Sequence, residues 1–239
     1  MNKEIVILQL YSHDMNIYGD WGNVLTLIRR AEWYGYKPKF IEYNPGDAFP
    51  EHVDIVVGGG GQDAGQDRIQ LDLLKISPKL HELAENDTSM LMICGLYQLF
   101  GKFFKTKEGK MIEGIGIFDI ETYGGDERMI GNIVTESDTF GQIIGYENHS
   151  GQTYLGKNNK PLGTVRKGAG NNGKDGTEGA KYRHVLGSYL HGSLLPKNPR
   201  IADWLLEKSI EKRYGEFSSH LLDDHFSDEA RKVALKRPR

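Results

Sequence analysis

The sequence predicts an α/β fold: an open, mainly parallel twisted sheet flanked by helices, with an antiparallel β extension. Three observations carry that prediction. Apolar runs of strand length alternate with amphipathic helical stretches of roughly 10–15 residues, the pattern of successive βα units joined by right-handed crossovers. Two of those runs end abruptly, one in Gly58-Gly59-Gly60-Gly61 and the other at Cys94. Beyond Gly101 the texture changes to short β-rich segments set off by glycine and asparagine turns.

The elements follow in order. Glu4-Ile5-Val6-Ile7-Leu8-Gln9-Leu10 is a buried first strand, and residues 11–20 form a polar and aromatic loop. Val24, Leu25, Leu27, Ile28 and Ala31 share one face of a helix over 22–34, and Gly35 stands where a left-handed residue would stop it. Residues 39–43 and 53–57 are the second and third strands, and a helix over about 69–84 leads to the fourth, Met90-Leu91-Met92-Ile93. Antiparallel strands are expected at 114–118, 131–135 and 141–146, extending the sheet rather than founding a second domain. Residues 168–179, with Asn171-Asn172-Gly173 and Asp175-Gly176, are expected as a surface turn or mobile loop. Residues 184–190 return as a strand that delivers His191. A helix from 198 to about 214 has Asn198 as its cap and Pro199 in its first position. The expectation is one domain over 1–214, followed by a charged tail or final helix over 215–239.

Composition narrows the function. A chain of 239 residues can bury a large core, and 30 Lys and Arg against 33 Asp and Glu give a net charge of -3. So even a balance creates no broad field for nucleic acid or anionic lipid, which points to a small molecule or a protein as partner. Met1-Asn2-Lys3-Glu4-Ile5 lacks the apolar core of a secretory signal, and no run approaches the roughly 18 apolar residues of a membrane span, so a cytoplasmic location is expected. A single cysteine excludes an internal disulfide framework and any multi-thiolate zinc or iron–sulfur site. The eight histidines show no ligand spacing, so no metal site is expected.

Cys94 closes an apolar run and opens Gly95-Leu96-Tyr97-Gln98-Leu99. A nucleophile at a strand-to-helix turn is presented at the top of a sheet, where the partial positive charge of a helix N-terminus favours the thiolate. His191 ends another strand and the four glycines end a third, all at the carboxyl edge where open α/β sheets place their ligands. A thiolate attacking a carboxamide needs a base that later serves as an acid, and donors for the oxyanion. His191 and the backbone amides of the glycine run suit those tasks. No Gly-Lys-Ser/Thr follows the glycines, so they do not form a phosphate-gripping loop.

Ile93-Cys94-Gly95-Leu96-Tyr97-Gln98-Leu99, Gly145-Tyr146-Glu147-Asn148-His149 and Ser188-Tyr189-Leu190-His191-Gly192 together resemble the class I, triad-type glutamine amidotransferases of the cobyric acid synthase branch. The resemblance runs from Tyr18-Gly19-Asp20 through Leu195-Pro196-Lys197-Asn198, and within the branch it is strongest to the free-standing glutaminase subunits of lipid II isoglutaminyl synthase. It implies that Cys94 attacks the side-chain amide of L-glutamine, that His191 is its base and acid, and that amides around Gly60 and at Gly95 form the oxyanion hole. It implies Gln98 as a substrate contact near the nucleophile, with Asn148, His149 and Ser150 beside it. Arg128, preferred to Arg166 and Arg183, would hold the α-carboxylate, a task suited to a bidentate guanidinium. No cofactor is implied in this chain. ATP and magnesium would lie on a Mur-ligase-like (MurT-type) synthetase subunit forming a heterodimer, which would use the ammonia to amidate the D-glutamate α-carboxyl of the peptidoglycan stem peptide.

Two positions depart from the family pattern. Leu96 stands where glycine is usual, which would tighten the space at the turn. His191-Gly192-Ser193 lacks the glutamate that commonly follows two places after the histidine, so the orienting acid is expected from the partner subunit. The residues alone leave other readings open: a glutaminase for another amidotransferase of the cobyric-acid type, a different cysteine hydrolase such as a peptidase or γ-glutamyl hydrolase, or a thiol redox sensor.

Overall fold

The computed structural model describes residues 3–191 and 193–238. Gly192, part of the histidine motif, lies outside the described residues, as do Met1, Asn2 and Arg239. In chain order the elements are β1 (Glu4–Leu10), α1 (Trp21–Trp33), β2 (Lys37–Tyr43), β3 (Ile55–Gly58), α2 (Asp63–Glu85), β4 (Ser89–Ile93), α3 (Gly95–Leu99), β5 (Phe103–Lys105) and β6 (Met111–Glu113). There follow β7 (Ile120–Ser137), β8 (Gly141–Leu155), β9 (Gly163–Lys167), β10 (Thr177–Glu178), β11 (Ala180–Tyr182), β12 (Val185–Ser188), β13 (Leu190–His191), α4 (Leu194–Lys197), α5 (Pro199–Tyr214) and α6 (His225–Lys236).

The expected parallel sheet is present, in the order β11-β12-β4-β3-β1-β2. β1, β2, β3, β4 and β12 pair in parallel, and β11 closes one edge antiparallel. Central strands carry apolar residues on both faces because helices cover both. Ile5, Ile7, Leu8, Leu10, Ile55, Val56, Leu91 and Ile93 are all sealed from solvent. Each such side chain contributes about 1.5–3 kcal/mol of burial. β2 is an edge strand, which is where Pro38, lacking an N–H for the ladder, can be accommodated. On α1 the buried face is Val24, Leu27 and Ala31, and Gly35 ends the helix at φ +83°. A β-carbon at that φ would crowd the backbone, so glycine is the residue that can stop the helix there.

The antiparallel segments divide. β11 extends the first sheet, while the rest form a second sheet in the order β10-β9-β7-β5-β6, with β8 on β7 and β13 on β8. The strand expected over 184–190 is split between the two: β12 pairs with β4, the chain turns at Tyr189, and β13 pairs with β8. His191 is thereby fixed where the two sheets meet.

Four local expectations are corrected. Residues 114–118 are a loop, not a strand, because the amides of Ile115, Gly116 and Phe118 donate to the carbonyls of Leu99, Gly101 and Phe100 beneath α3. α2 begins at Asp63 rather than near 69, its first turn lacking the apolar periodicity that would reveal it. The 168–179 segment is anchored: Asn171 and Asn172 are buried, Asn171 accepts from Tyr97 Oη at 3.1 Å and Asn172 donates to the Thr153 carbonyl at 2.9 Å. Asn198 does not cap α5 with its side chain; it accepts from the Ile144 amide at 2.9 Å and donates to the Ile144 and Leu194 carbonyls at 2.8 and 2.7 Å, joining β8 to α4.

The charged C-terminal stretch contains α6, held to the body by polar contacts. Arg30, buried on α1, pairs with Asp203 at 2.6 Å and with Asp224 at 2.5 Å. Arg231 donates to the Lys197 carbonyl at 2.6 Å and to the Gln142 carbonyl at 2.8 Å. Among the described residues no helix is long and apolar enough to cross a membrane.

Candidate active site

The carboxyl edge of the parallel sheet assembles the site. In register, Leu10 lies beside Gly58, Gly58 beside Met92, and Ile93 beside Ser188. The loops after β1, β3, β4 and β12 therefore leave the sheet together, at the place where an open sheet binds its ligand.

Cys94 occupies a strained turn, at φ +49° and ψ -102°. A side chain at positive φ costs of order 1–3 kcal/mol and persists only where its surroundings over-determine it. Its amide donates to the Ser188 carbonyl at 2.8 Å and its carbonyl accepts from the Gln98 amide at 2.9 Å, so neighbouring strand and helix both fix the turn. The short helix α3 leaves its leading amides without partners of its own. One of them, Leu96 N–H, donates to the Gly59 carbonyl at 3.3 Å. The Leu96 side chain is buried against Gly58 and Met92 rather than lining the cavity, so the bulk expected at the turn fills the core beneath the glycines.

Gly60 sits between Cys94 and His191. A β-carbon there would lie 2.8 Å from His191 Cε1 and 3.1 Å from Cys94 Cβ, so only glycine leaves the two side chains room to face each other. The Gly60 amide itself donates to Asp20 Oδ2 at 2.6 Å. It is thus committed to the protein. At the same turn stand the amide of Gly95, in the first turn of α3, and that of Gly61, whose nitrogen approaches Gly95.

Asp20 is the residue that reading the sequence missed. It is buried, and Oδ1 lies 3.8 Å from His191 Nδ1, within reach of a charge pair but beyond a hydrogen bond. Burial by itself would lower the His191 pKa, yet the interactions of the imidazole with Cys94 and Asp20 outweigh it and raise it to about 10. A signal for Asp20 was present: it ends the loop after the first strand, at the functional edge of the sheet.

A cavity of about 420 Å³ opens over Cys94, and Gln98, Arg128, Asn148, His149 and Ser150 line it. All five expected contact residues are brought together. Arg128 reaches it because the β7–β8 register shifts between Gly124 and Met129, and such a bulge re-aims the side chains it carries. Arg128 Nε donates to Asn148 Oδ1 at 2.7 Å, and the Tyr18 hydroxyl accepts from Asn148 Nδ2 at 2.8 Å and from Arg128 Nη2 at 3.4 Å. Arg183, by contrast, is held bidentate by Asp87 with both contacts at 2.8 Å, at the opposite end of the sheet. Arg166 lies on β9 and does not line the cavity.

Gln98 belongs to a buried chain of hydrogen bonds. It accepts from Gln66 Nε2 at 2.7 Å and donates to Tyr189 Oη at 3.0 Å, while Tyr189 Oη meets Thr153 Oγ1 at 2.6 Å. A carboxamide retains a second N–H and a second lone pair, so Gln98 can still address a ligand. His149 is stacked on Tyr189 at 3.6 Å and donates from Nδ1 to the Gly151 carbonyl at 2.8 Å, which fixes its tautomer. Asp63, also missed in the sequence, stands on the cavity rim as the first residue of α2. Burial and nearby Glu108 raise its pKa above the usual carboxylate range, while Arg128 pulls it the other way. Among the described residues no group of three or more His, Cys, Asp or Glu could hold a metal ion.

A strained thiol beside an imidazole, opening into a pocket lined by a guanidinium that Asn148 and Tyr18 hold, can open an amide through a thioester. Fold and site together are those of an open α/β enzyme that sets a thiol and an imidazole at the carboxyl edge of its sheet. The chain belongs to the CobB/CobQ-like glutamine amidotransferase domain family, whose model matches residues 5–199, and it is a glutamine-hydrolysing enzyme. Over 235 residues it is 40% identical to the lipid II isoglutaminyl synthase (glutamine-hydrolyzing) subunit GatD of Staphylococcus aureus (strain N315), covering 98% of this chain and 96% of that one. Identity to the subunit of the same description in Streptococcus pneumoniae (strain ATCC BAA-255 / R6) is 38%, over 89% of this chain and 83% of that one. The fold is shared with the crystal structure of a glutamine amidotransferase from Thermotoga maritima, at a TM-score of 0.58 and 14% identity over 96% of this chain and 93% of that one.

Proposed function

We propose that this chain is the glutaminase subunit of a two-subunit, ATP-dependent lipid II isoglutaminyl synthase, supplying ammonia for amidation of the D-glutamate α-carboxyl in the peptidoglycan stem peptide. The observation that carries the chemistry is the meeting of Cys94 and His191 around Gly60, with Cys94 opening into the Arg128 cavity. The acceptor rests on the likeness to the two GatD subunits over most of their length.

Free glutamine enters as a zwitterion. Its α-carboxylate is taken by Arg128, backed by Asn148, and its α-ammonium by Asp63, while Gln98 faces the side chain. Cys94 Sγ, its proton already carried by His191, attacks the amide carbon, and the oxyanion is held by the Gly95 and Gly61 amides. One such donor is worth about 3 kcal/mol in mutational tests. His191 returns the proton to the departing nitrogen, releasing ammonia and leaving a glutamyl thioester. Water then attacks the thioester, His191 takes its proton, and glutamate leaves with the thiol restored. The partner is a Mur-ligase-like synthetase that binds ATP and magnesium and activates the acceptor carboxyl.

Asp20 gives the imidazolium electrostatic support from within the chain, and the short hydrogen bond to Nδ1 is assigned to an acid of the partner subunit. Glutamine turnover is therefore weak for the chain alone and rises on assembly; equal turnover in both states overturns that assignment. The test of the whole reading is Cys94→Ala in the assembled enzyme. Amidation driven by glutamine should vanish while amidation driven by ammonium salts persists. Loss with both nitrogen donors would mean that Cys94 is structural.

A further inference from the structure

Tyr18 holds an unusual place in the site. Its backbone is left-handed, at φ +60° and ψ +20°, a conformation that bulky residues adopt only under constraint. The constraints are visible on both sides. Ile17 N–H donates to the Gly60 carbonyl at 3.0 Å, and Ser193 Oγ donates to the Gly19 carbonyl at 2.6 Å. The segment is thus clamped between the glycine run and the residue two places after His191. Its side chain spans the site: the hydroxyl joins Arg128 and Asn148, and the ring meets the His191 imidazole edge to face, with centroids 5.1 Å apart. Tyr18 also lines two cavities, the one over Cys94 and a second of about 390 Å³ bounded by His191, Tyr146, Asn132, Lys197 and Arg237.

We propose that Tyr18 is a positioning residue with two separable tasks: its hydroxyl sets the Arg128–Asn148 seat for the substrate carboxylate, and its ring fixes the His191 plane as the wall between the two cavities. The inference rests on the glutaminase reading above. One side chain then links occupancy of the carboxylate seat to the orientation of the base, because a carboxylate drawing Arg128 and Asn148 together pulls on the same hydroxyl. His191 is sealed from solvent while Tyr18 is exposed, so the ring covers the imidazole edge from the open side, and a buried imidazole has few alternative rotamers.

The two tasks separate in kinetics. In the assembled enzyme, Tyr18→Phe keeps the ring and loses the hydroxyl; KM for glutamine should rise about fivefold or more with kcat within about twofold of wild type. Tyr18→Leu loses both; it should show the same rise in KM together with a fall in kcat of at least about tenfold and a changed pH profile of kcat/KM. Unchanged KM in Tyr18→Phe removes the hydroxyl's task. A kcat for Tyr18→Leu equal to that of Tyr18→Phe removes the ring's. Both results are read against wild-type turnover and thermal midpoints: a wild type that does not hydrolyse glutamine overturns the underlying reading and this assignment together, whereas an active wild type with unsplit variants overturns the Tyr18 assignment alone.

Discussion

Asp20 Oδ1 lies 3.8 Å from His191 Nδ1 while Oδ2 of the same carboxylate accepts the Gly60 amide at 2.6 Å. A single buried side chain thus fixes the glycine run and places negative charge beside the base. Asp20→Asn keeps the shape and removes the charge, so kcat for glutamine should fall about tenfold, in the chain alone and in the complex alike. The check is steady-state glutamate release together with a thermal midpoint. Unaltered turnover in a folded variant would show that the carboxylate serves only the loop.

Gly60→Ala tests the crowding between Cys94 and His191 directly. The added methyl would sit 2.8 Å from His191 Cε1, closer than real β-carbon contacts come, and a tight 3.1 Å from Cys94 Cβ, so the imidazole must give way. A displacement near 1 Å at reacting atoms costs roughly a hundredfold in rate. Glutamine turnover should fall by about that factor while circular dichroism and the thermal midpoint stay near wild type. Full activity would place the reacting pair elsewhere.

How much of this arrangement the sequence shows depends on what holds each part in place. The parallel strands are legible because burial on both faces demands runs such as Ile5 to Leu8 and Met90 to Ile93, and Cys94 and His191 are legible because such runs end at them. The turn at Tyr189 from one sheet to the other leaves no mark in apolar periodicity, since both halves of that strand are equally buried. Arg128 reaches the cavity through a bulge, whose extra residues look like an ordinary loop in sequence. Asp20 is marked only by its place at the end of the loop after the first strand, and Asp63 acts across the fold through contacts that no local pattern encodes.

Arg128 and Asp63 face one cavity with opposite charges, which suits the two charged groups of a free amino acid. Arg128→Ala should raise KM for glutamine about tenfold or more with a smaller change in kcat. Asp63→Asn should raise KM for glutamine yet leave hydrolysis of glutaramate, the analogue lacking the α-amino group, unchanged. Parallel losses on both substrates would refute the ammonium seat. Efficient cleavage of γ-glutamyl peptides by the wild type would instead favour a peptide hydrolase.

Glu178 stands under the turn that delivers His191, accepting from Ser188 Oγ at 3.1 Å and from the Tyr189 amide at 2.8 Å. Burial raises its pKa from the ordinary 4.5 to about 8, and the nearby charge of Glu147 adds to the effect against those two hydrogen bonds. The folded chain therefore keeps a proton that the unfolded chain has released once the pH passes about 4.5. Across that interval the folded state binds more protons, so this group's contribution to stability falls as pH rises and levels off above about 8. Glu178→Gln preserves the neutral shape and removes the titration. Urea midpoints measured from about pH 5 to about pH 8.5 should fall with pH more steeply in wild type than in the variant. Equal slopes would mean that Glu178 is ionised in the folded chain, with the Ser188 hydroxyl and the Tyr189 amide, rather than burial, setting its charge.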